Sequence, residues 1–132
     1  MTNSFKRYCK TLKLENNPEL IADYKKAHGL GQAWPEVTQG MKDVGILGME
    51  IYIADCQLFM IMDTVADFDH DQAMTKLGTL PRQSEWEAHM SRFQKTDSNA
   101  SADEKWILLE RIYEMDQRAE YQPQDGYMKE TY

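Results

Sequence analysis

Cysteine is scarce in this chain, and the two present, Cys9 and Cys56, lie far apart in strand-like or turn sequence. Neither belongs to a close-spaced ligand pattern, so a disulfide framework and a zinc site are both excluded and the thiols read as reduced. Long hydrophobic runs are also missing: none approaches the roughly 18 residues that a membrane-spanning helix requires. There is no surplus of positive charge. Lys and Arg number 15 against 22 Asp and Glu, for a net charge of -7, and the basic residues are scattered singly or in pairs. That balance argues against nucleic acid or an anionic membrane surface as partner and leaves a neutral or cationic small ligand as the easier one to accommodate. The segment Met1 to Arg7 leads into strand-like sequence without an apolar signal segment, so a cytoplasmic location is expected. No internal repeat or long low-complexity stretch interrupts the chain.

What is present suits one globular domain. With 132 residues and 42% hydrophobic composition, the chain is long enough to bury a core and too short for two domains. The patterning puts that domain at residues 1–116, followed by a polar tail, 117–132. From Phe5 to Leu14, Tyr8, Leu12 and Leu14 share one parity, with Lys10 the polar exception, which reads as a first strand. Asn17 suits a helix cap and Pro18 the first helical position, with Leu20, Ile21, Tyr24 and Ala27 or His28 on the inward stripe. Gly29-Leu30-Gly31-Gln32-Ala33 breaks that helix, and Pro35 opens a second piece whose Val37, Met41 and Val44 share a face. Two β-type runs, Leu47 to Ala54 and Gln57 to Asp63, then read as a hairpin, although Asp55-Cys56 is not a favoured type I′ pair. Leu58 to Met62 is apolar throughout, so cover is expected on both faces: helices on one, a pocket or a partner subunit on the other.

Asp67 is the expected cap of a helix carrying Phe68, Ala73, Met74 and Leu77, which Leu80-Pro81-Arg82 ends. Ser84 to Glu87 has capping-box spacing and is expected to open another helix, with Trp86, Met90 and Phe93 at helical intervals. Gln94 to Lys105 reads as a loop and Trp106 to Met115, which alternates, as the last strand. Strand, helix pair, hairpin, helix pair, strand is the order of an α+β, ferredoxin-like βαββαβ domain with helices on one face of the sheet. The other face must be wet or buried, and two such sheets meeting face to face as a homodimer is the expected solution.

Within this frame Tyr24 and His28 stand out. Four residues along a helix is about 40° of rotation, so an imidazole sits beside a phenol, and histidine is the side chain that gives or takes a proton near neutrality. The alternative is a helix-end histidine favoured by the dipole, with Gly29 as cap. Trp86 is open to two readings as well, a core residue or a flat platform for a sugar. Glu87 is either the capping-box carboxylate or, like Glu50, an acceptor for ligand hydroxyls.

Six short stretches add something more specific than pattern: Tyr24-x-x-x-His28, Trp34-Pro35-Glu36, Met49-Glu50-Ile51-Tyr52, Leu58-Phe59-Met60-Ile61-Met62, Arg82-Gln83-Ser84-Glu85-Trp86-Glu87 and Glu110-Arg111-Ile112-Tyr113. In this order they resemble the L-rhamnose mutarotase family, most of all its L-fucose-type branch, over Phe5 to Met115. The resemblance implies a dimeric ferredoxin-like α/β barrel that interconverts the α and β anomers of a deoxyhexose such as L-fucose or L-rhamnose, with no metal or organic cofactor. It makes His28 the acid/base residue, Tyr24 a sugar contact and Trp86 the first of two pocket tryptophans. Glu87 stands where rhamnose-type members have the second tryptophan, and Met49 where they have a hairpin tyrosine, so the identity of the sugar does not follow. The roomy stretch 29–33 also allows His28 to sit differently relative to Trp34. Mutarotation needs one group that titrates near the working pH, plus a hydroxyl or water to complete the relay, and no nucleophile or phosphate-binding loop. The alternatives are a noncatalytic metabolite-binding dimer, or a monooxygenase or lactone isomerase on the same barrel.

Overall fold

The computed structural model describes residues 5–94 and 105–115. The elements run β1 (Phe5–Lys13), α1 (Pro18–Ala27), α2 (Pro35–Asp43), β2 (Ile46–Ala54), β3 (Gln57–Val65), α3 (His70–Leu77), α4 (Gln83–Ser91) and β4 (Ile107–Leu108). The strands form one antiparallel sheet in the order β2-β3-β1-β4, which is the ferredoxin-like arrangement expected from the sequence. The polar tail 117–132 and the loop stretch 95–104 lie outside the described residues.

Period two along the central strands decides what meets the helices. On β1, Tyr8, Lys10 and Leu12 are all buried, so Lys10 keeps the inward parity that its charge had made look exceptional. On β3, Leu58, Met60 and Met62 turn inward while Phe59 stays 40% exposed, so helices cover only one face of the apolar run. The core fills the space between this inner face and the helices, with Tyr24, Val37, Trp86, Met90 and Phe93 closing it from above.

Local signals set most boundaries. The side-chain oxygen of Asn17 accepts from the Glu19 and Leu20 amides, and Pro18 occupies the first turn of α1, where no amide hydrogen is needed. The hairpin turns through Asp55 in the left-handed region (φ 55°), and Leu14 N–H bonds Cys56 C=O at 2.8 Å, tying the turn to the end of β1.

Three expectations need correction. Asp69, not Asp67, caps α3, its carboxylate accepting from Gln72 N–H at 3.1 Å. Phe68 therefore precedes the helix and is buried against Tyr8, with ring centroids 5.7 Å apart. Second, Ser84 opens no capping box. Gln83 N–H already bonds Leu80 C=O, and Arg82, left-handed at φ 64°, is the residue before the first turn of α4. Glu87 is thereby free of the capping role. Third, the last strand is only Ile107–Leu108, paired with Thr11 and Lys10 and extended by a Leu109 N–H to Cys9 C=O bond of 2.7 Å. Alternation continues to Met115, but alternation needs a partner strand to become a ladder, and Ile112, Tyr113 and Met115 are instead exposed.

Candidate active site

A cavity of about 440 Å³ lies between the inner face of the sheet and α1, α2 and α4. His28, Tyr24, Trp86, Glu87 and Met49, which stood apart in the sequence, all line it. The elements deliver them separately: α1 ends on His28, α4 carries Trp86 and Glu87 on its inward face, and Met49 comes from the inward parity of β2.

His28 is both a helix end and a cavity wall. As the C-cap of α1 it donates from Nδ1 to Tyr24 C=O at 2.9 Å. A carbonyl only accepts, so this bond keeps the proton of the neutral ring on Nδ1 and leaves the lone pair on Nε2. Burial lowers the His28 pKa below the usual histidine value, opposed by the bond to the Tyr24 carbonyl and the negative charge of Glu87. A histidine kept for its favourable charge at a helix C-terminus would be pushed the other way.

Tyr24 packs against that ring, with centroids 4.3 Å apart at 35°. The phenol does not bond the imidazole, as a direct proton-transfer pair would. Its hydroxyl bonds the Gln94 side chain, and burial, the leading cause, raises its pKa far above the ordinary tyrosine value. Gln94 opposes the rise by donating to the oxygen, so Tyr24 keeps its own proton available to donate.

Trp86 is 8% exposed and meets His28 edge-on, with centroids 5.4 Å apart at 74°. It packs in the core and also presents a wall to the cavity. Trp34, which the sequence offered only within a motif, proves to be a second aromatic wall. It meets Trp86 at 5.1 Å and 71°, stacks on His89 at 5.8 Å, and carries the Arg82 guanidinium 4.1 Å over its ring. The signal that could have found Trp34 is the Pro35 after it, since a residue just before a helix start is held at the helix end that faces the loop. Lys10 also lines the cavity, and its signal was a lysine on an inward parity.

Glu87 sits on the wall with both oxygens bonded, Oε1 to Lys105 Nζ at 2.9 Å and Oε2 to Gln83 Nε2 at 2.7 Å. Glu50 and Asp63 are elsewhere. Glu50 accepts from the Tyr52 hydroxyl at 3.0 Å, and Asp63 is held by Arg7 through two bonds of 2.7 and 2.9 Å, both on the outer face of the sheet. Neither reaches this cavity, which removes Glu50 as a hydroxyl acceptor within it. Among the described residues no three His, Cys, Asp or Glu side chains gather in a metal-binding group.

Residues 7–115 match the family model for L-rhamnose mutarotase. The chain belongs to the L-rhamnose mutarotase family. It is 33% identical over 119 residues to an L-fucose mutarotase of Xanthomonas campestris pv. campestris, covering 90% of this chain and 95% of that one. A UPF0734 protein of Dictyostelium discoideum is 34% identical over 116 residues, with 85% and 91% of the two chains covered. In three dimensions the chain is similar to the crystal structure of an L-rhamnose mutarotase from Formosa agariphila. The TM-score is 0.63 at 24% identity, over 83% of this chain and 98% of that one. That last likeness concerns the fold, and the family assignment rests on the first two. Sugar mutarotation is the activity to which these relatives point, which makes the chain a carbohydrate isomerase by family. Among the described residues no helix is long and apolar enough to cross a membrane.

Proposed function

We propose that the protein exchanges the α and β anomers of a 6-deoxyhexose, L-fucose before L-rhamnose, with His28 as the acid/base. The observation that carries this is the fixed tautomer of His28: Nδ1–H is spent on the Tyr24 carbonyl, so a basic Nε2 remains on a ring that forms part of the cavity wall. In the forward step Nε2 takes the proton of the anomeric hydroxyl and the anomeric C–O becomes a carbonyl. The bond from the anomeric carbon to the ring oxygen breaks, its electron pair staying on that oxygen, which takes up a proton. The resulting open-chain aldehyde turns about its bond to the next carbon and closes on the other face by the reverse transfers. Tyr24, held protonated by burial, serves as a donor to the sugar or to a relaying water and not as a base. Trp86 and Trp34 give the apolar sugar face flat surfaces at small cost in side-chain entropy. The preference for L-fucose follows the named activity of the Xanthomonas relative. Saturation-transfer NMR on freshly dissolved L-fucose and L-rhamnose tests the reading, with exchange well above the buffer rate expected. Exchange at the buffer rate with a sugar bound would make the protein a binding module instead.

The assembly in this reading is a homodimer. Register places Ile107 beside Thr11, Thr11 beside Phe59 and Phe59 beside Tyr52, an outer-face row whose Ile107, Phe59 and Tyr52 are exposed in the single chain. A row of that kind across four strands suits a second copy of the same face. Light scattering at micromolar protein should give about twice 15.4 kDa, and a stable monomer would sink the idea.

A further inference from the structure

Arg82 combines a strained backbone with a side chain laid against the wall of the site. Its φ of 64° and ψ of 3° lie in the left-handed region, at the residue before the first turn of α4. Glycine, asparagine and aspartate enter that region readily, whereas a long side chain does so at a cost in backbone energy. Asp55, the other non-glycine residue at positive φ among the described residues, is of the tolerant kind and makes the hairpin turn. Arginine is not of that kind, so what it contributes at this position lies in its side chain.

The guanidinium carbon sits 4.1 Å from the centre of the Trp34 ring. Nη1 approaches Glu36 Oε1 at 3.6 Å, on the first turn of α2, and Nε approaches Glu85 Oε2 at 3.7 Å, on the first turn of α4. All three side chains are exposed, so either ion pair alone adds little stability. Together they tie the guanidinium to the starts of two helices while it lies over the indole. Trp34 has few other restraints: it caps α2 without a side-chain hydrogen bond, is only half-buried, and follows residues 30–33, all of them exposed. The same ring lines the cavity and meets Trp86, which in turn meets His28. Arg82 itself is not on the cavity wall.

We propose that Arg82 is a positioning residue that clamps the Trp34 ring as a wall of the sugar site, and so governs affinity for the sugar and not the proton transfer. The inference rests on the mutarotase reading for the ligand being a sugar. An aromatic surface already held in place binds without first being ordered, whereas a ring free to turn gives up that freedom when the sugar arrives and binds it more weakly. Guanidinium suits the task because it is always charged and stacks on aromatic faces.

Arg82→Gly separates clamping from support of the fold, since glycine accepts the left-handed backbone while the guanidinium is lost. The variant should keep the wild-type circular-dichroism spectrum and a cooperative melt. Arg82→Asn, which also tolerates this backbone, serves if the glycine variant does not fold. The dependence of anomer exchange on L-fucose concentration, followed by saturation-transfer NMR, gives KM and kcat. Arg82→Gly should raise KM by about fivefold and leave kcat unchanged. Titration of L-fucose against tryptophan fluorescence should show Kd rising in step. Trp34→Leu should raise KM by itself, and adding Arg82→Gly to it should change nothing further, because the clamp acts only through that ring. The proposal is overturned if Arg82→Gly leaves both KM and Kd at their wild-type values, if it lowers kcat instead, if the two substitutions add, or if the wild type binds no sugar. Buffer-rate exchange in the wild type, with a Kd that still weakens in Arg82→Gly, would sink the mutarotase reading and leave the clamp standing. Exchange well above the buffer rate with KM unmoved would do the reverse.

Discussion

The two faces of the one sheet use the same strands for different ends. On the inner face Lys10, Met49, Met60 and Met62 floor a cavity whose walls include His28, Tyr24 and Trp86. Among the described residues, the amide oxygens of Gln83 and Gln94 on its wall are buried without a hydrogen-bond partner. On the outer face, one residue further along each strand, two polar pairs are closed among themselves. Arg7 grips Asp63 with two bonds, and Tyr52 bonds Glu50. What the outer face leaves open is apolar, namely Tyr52, Phe59 and Ile107. A face with unmet hydrogen-bonding capacity in a cavity suits a small polar ligand, whereas a face with unmet apolar area suits another protein surface. The period of two thus separates chemistry from assembly in the same run of residues, and substitutions on the two faces should have different consequences.

The largest effect should come from the inner face. Replacing His28 by Asn keeps approximate size and one hydrogen-bonding edge but removes titration, so anomer exchange measured by saturation-transfer NMR should fall by about 10²-fold or more with the fold intact. Asp63→Asn, on the outer face, should leave exchange unchanged, because it weakens only an exposed ion pair. If the two variants traded these results, the inner cavity would not be the reaction site. Tyr24→Phe should cost less than His28→Asn, about tenfold, since the ring still packs on the imidazole and only a hydroxyl donor is lost.

The outer face should respond in mass and not in rate. Phe59→Asp puts a charge in the middle of the apolar row, so light scattering should fall from about twice 15.4 kDa to about one chain mass. Exchange per chain should hold if the cavity is complete within one chain. A proportional loss of activity would show that assembly supplies part of the site.

Legibility in the sequence followed the range of the interactions. Helix α1, from the Asn17 cap to His28 at its end, was legible because each determinant lies within four residues of the next. The ferredoxin-like arrangement followed from the order of the elements along the chain. The errors arose where a distant contact outweighed a local signal. Ser84-x-x-Glu87 has the spacing of a capping box, yet Lys105, 18 residues on, and Gln83 claim the carboxylate. Trp106 to Met115 alternates as a strand should, but only two of its residues find the edge of β1. In the site, His28 and Tyr24 could be read from their helical spacing. The Lys105 contact to Glu87 and the placement of Trp34 could not, since both depend on residues from other parts of the chain meeting in space.

The smallest expected effect is on pH dependence, and its sign follows from burial. The His28 pKa is lowered, chiefly by desolvation of the charged ring, with the Tyr24 carbonyl and the Glu87 charge recovering part of the loss. If neutral His28 is the base, exchange should persist below the ordinary histidine pKa of about 6.5 and fall away only further toward acid. For stability the folded pKa lies below the unfolded one, so the unfolded state binds the proton first as pH drops. The contribution is fully present above about 6.5 and is lost as pH falls toward the folded value. His28→Asn should flatten that part of the stability curve, which guanidinium titrations across the interval would read. Glu87→Gln should move the acid limb of the rate further toward acid, because it removes a charge that favours the imidazolium. A limb at or above about 6.5 in the wild type would mean that charge, and not burial, controls the ring.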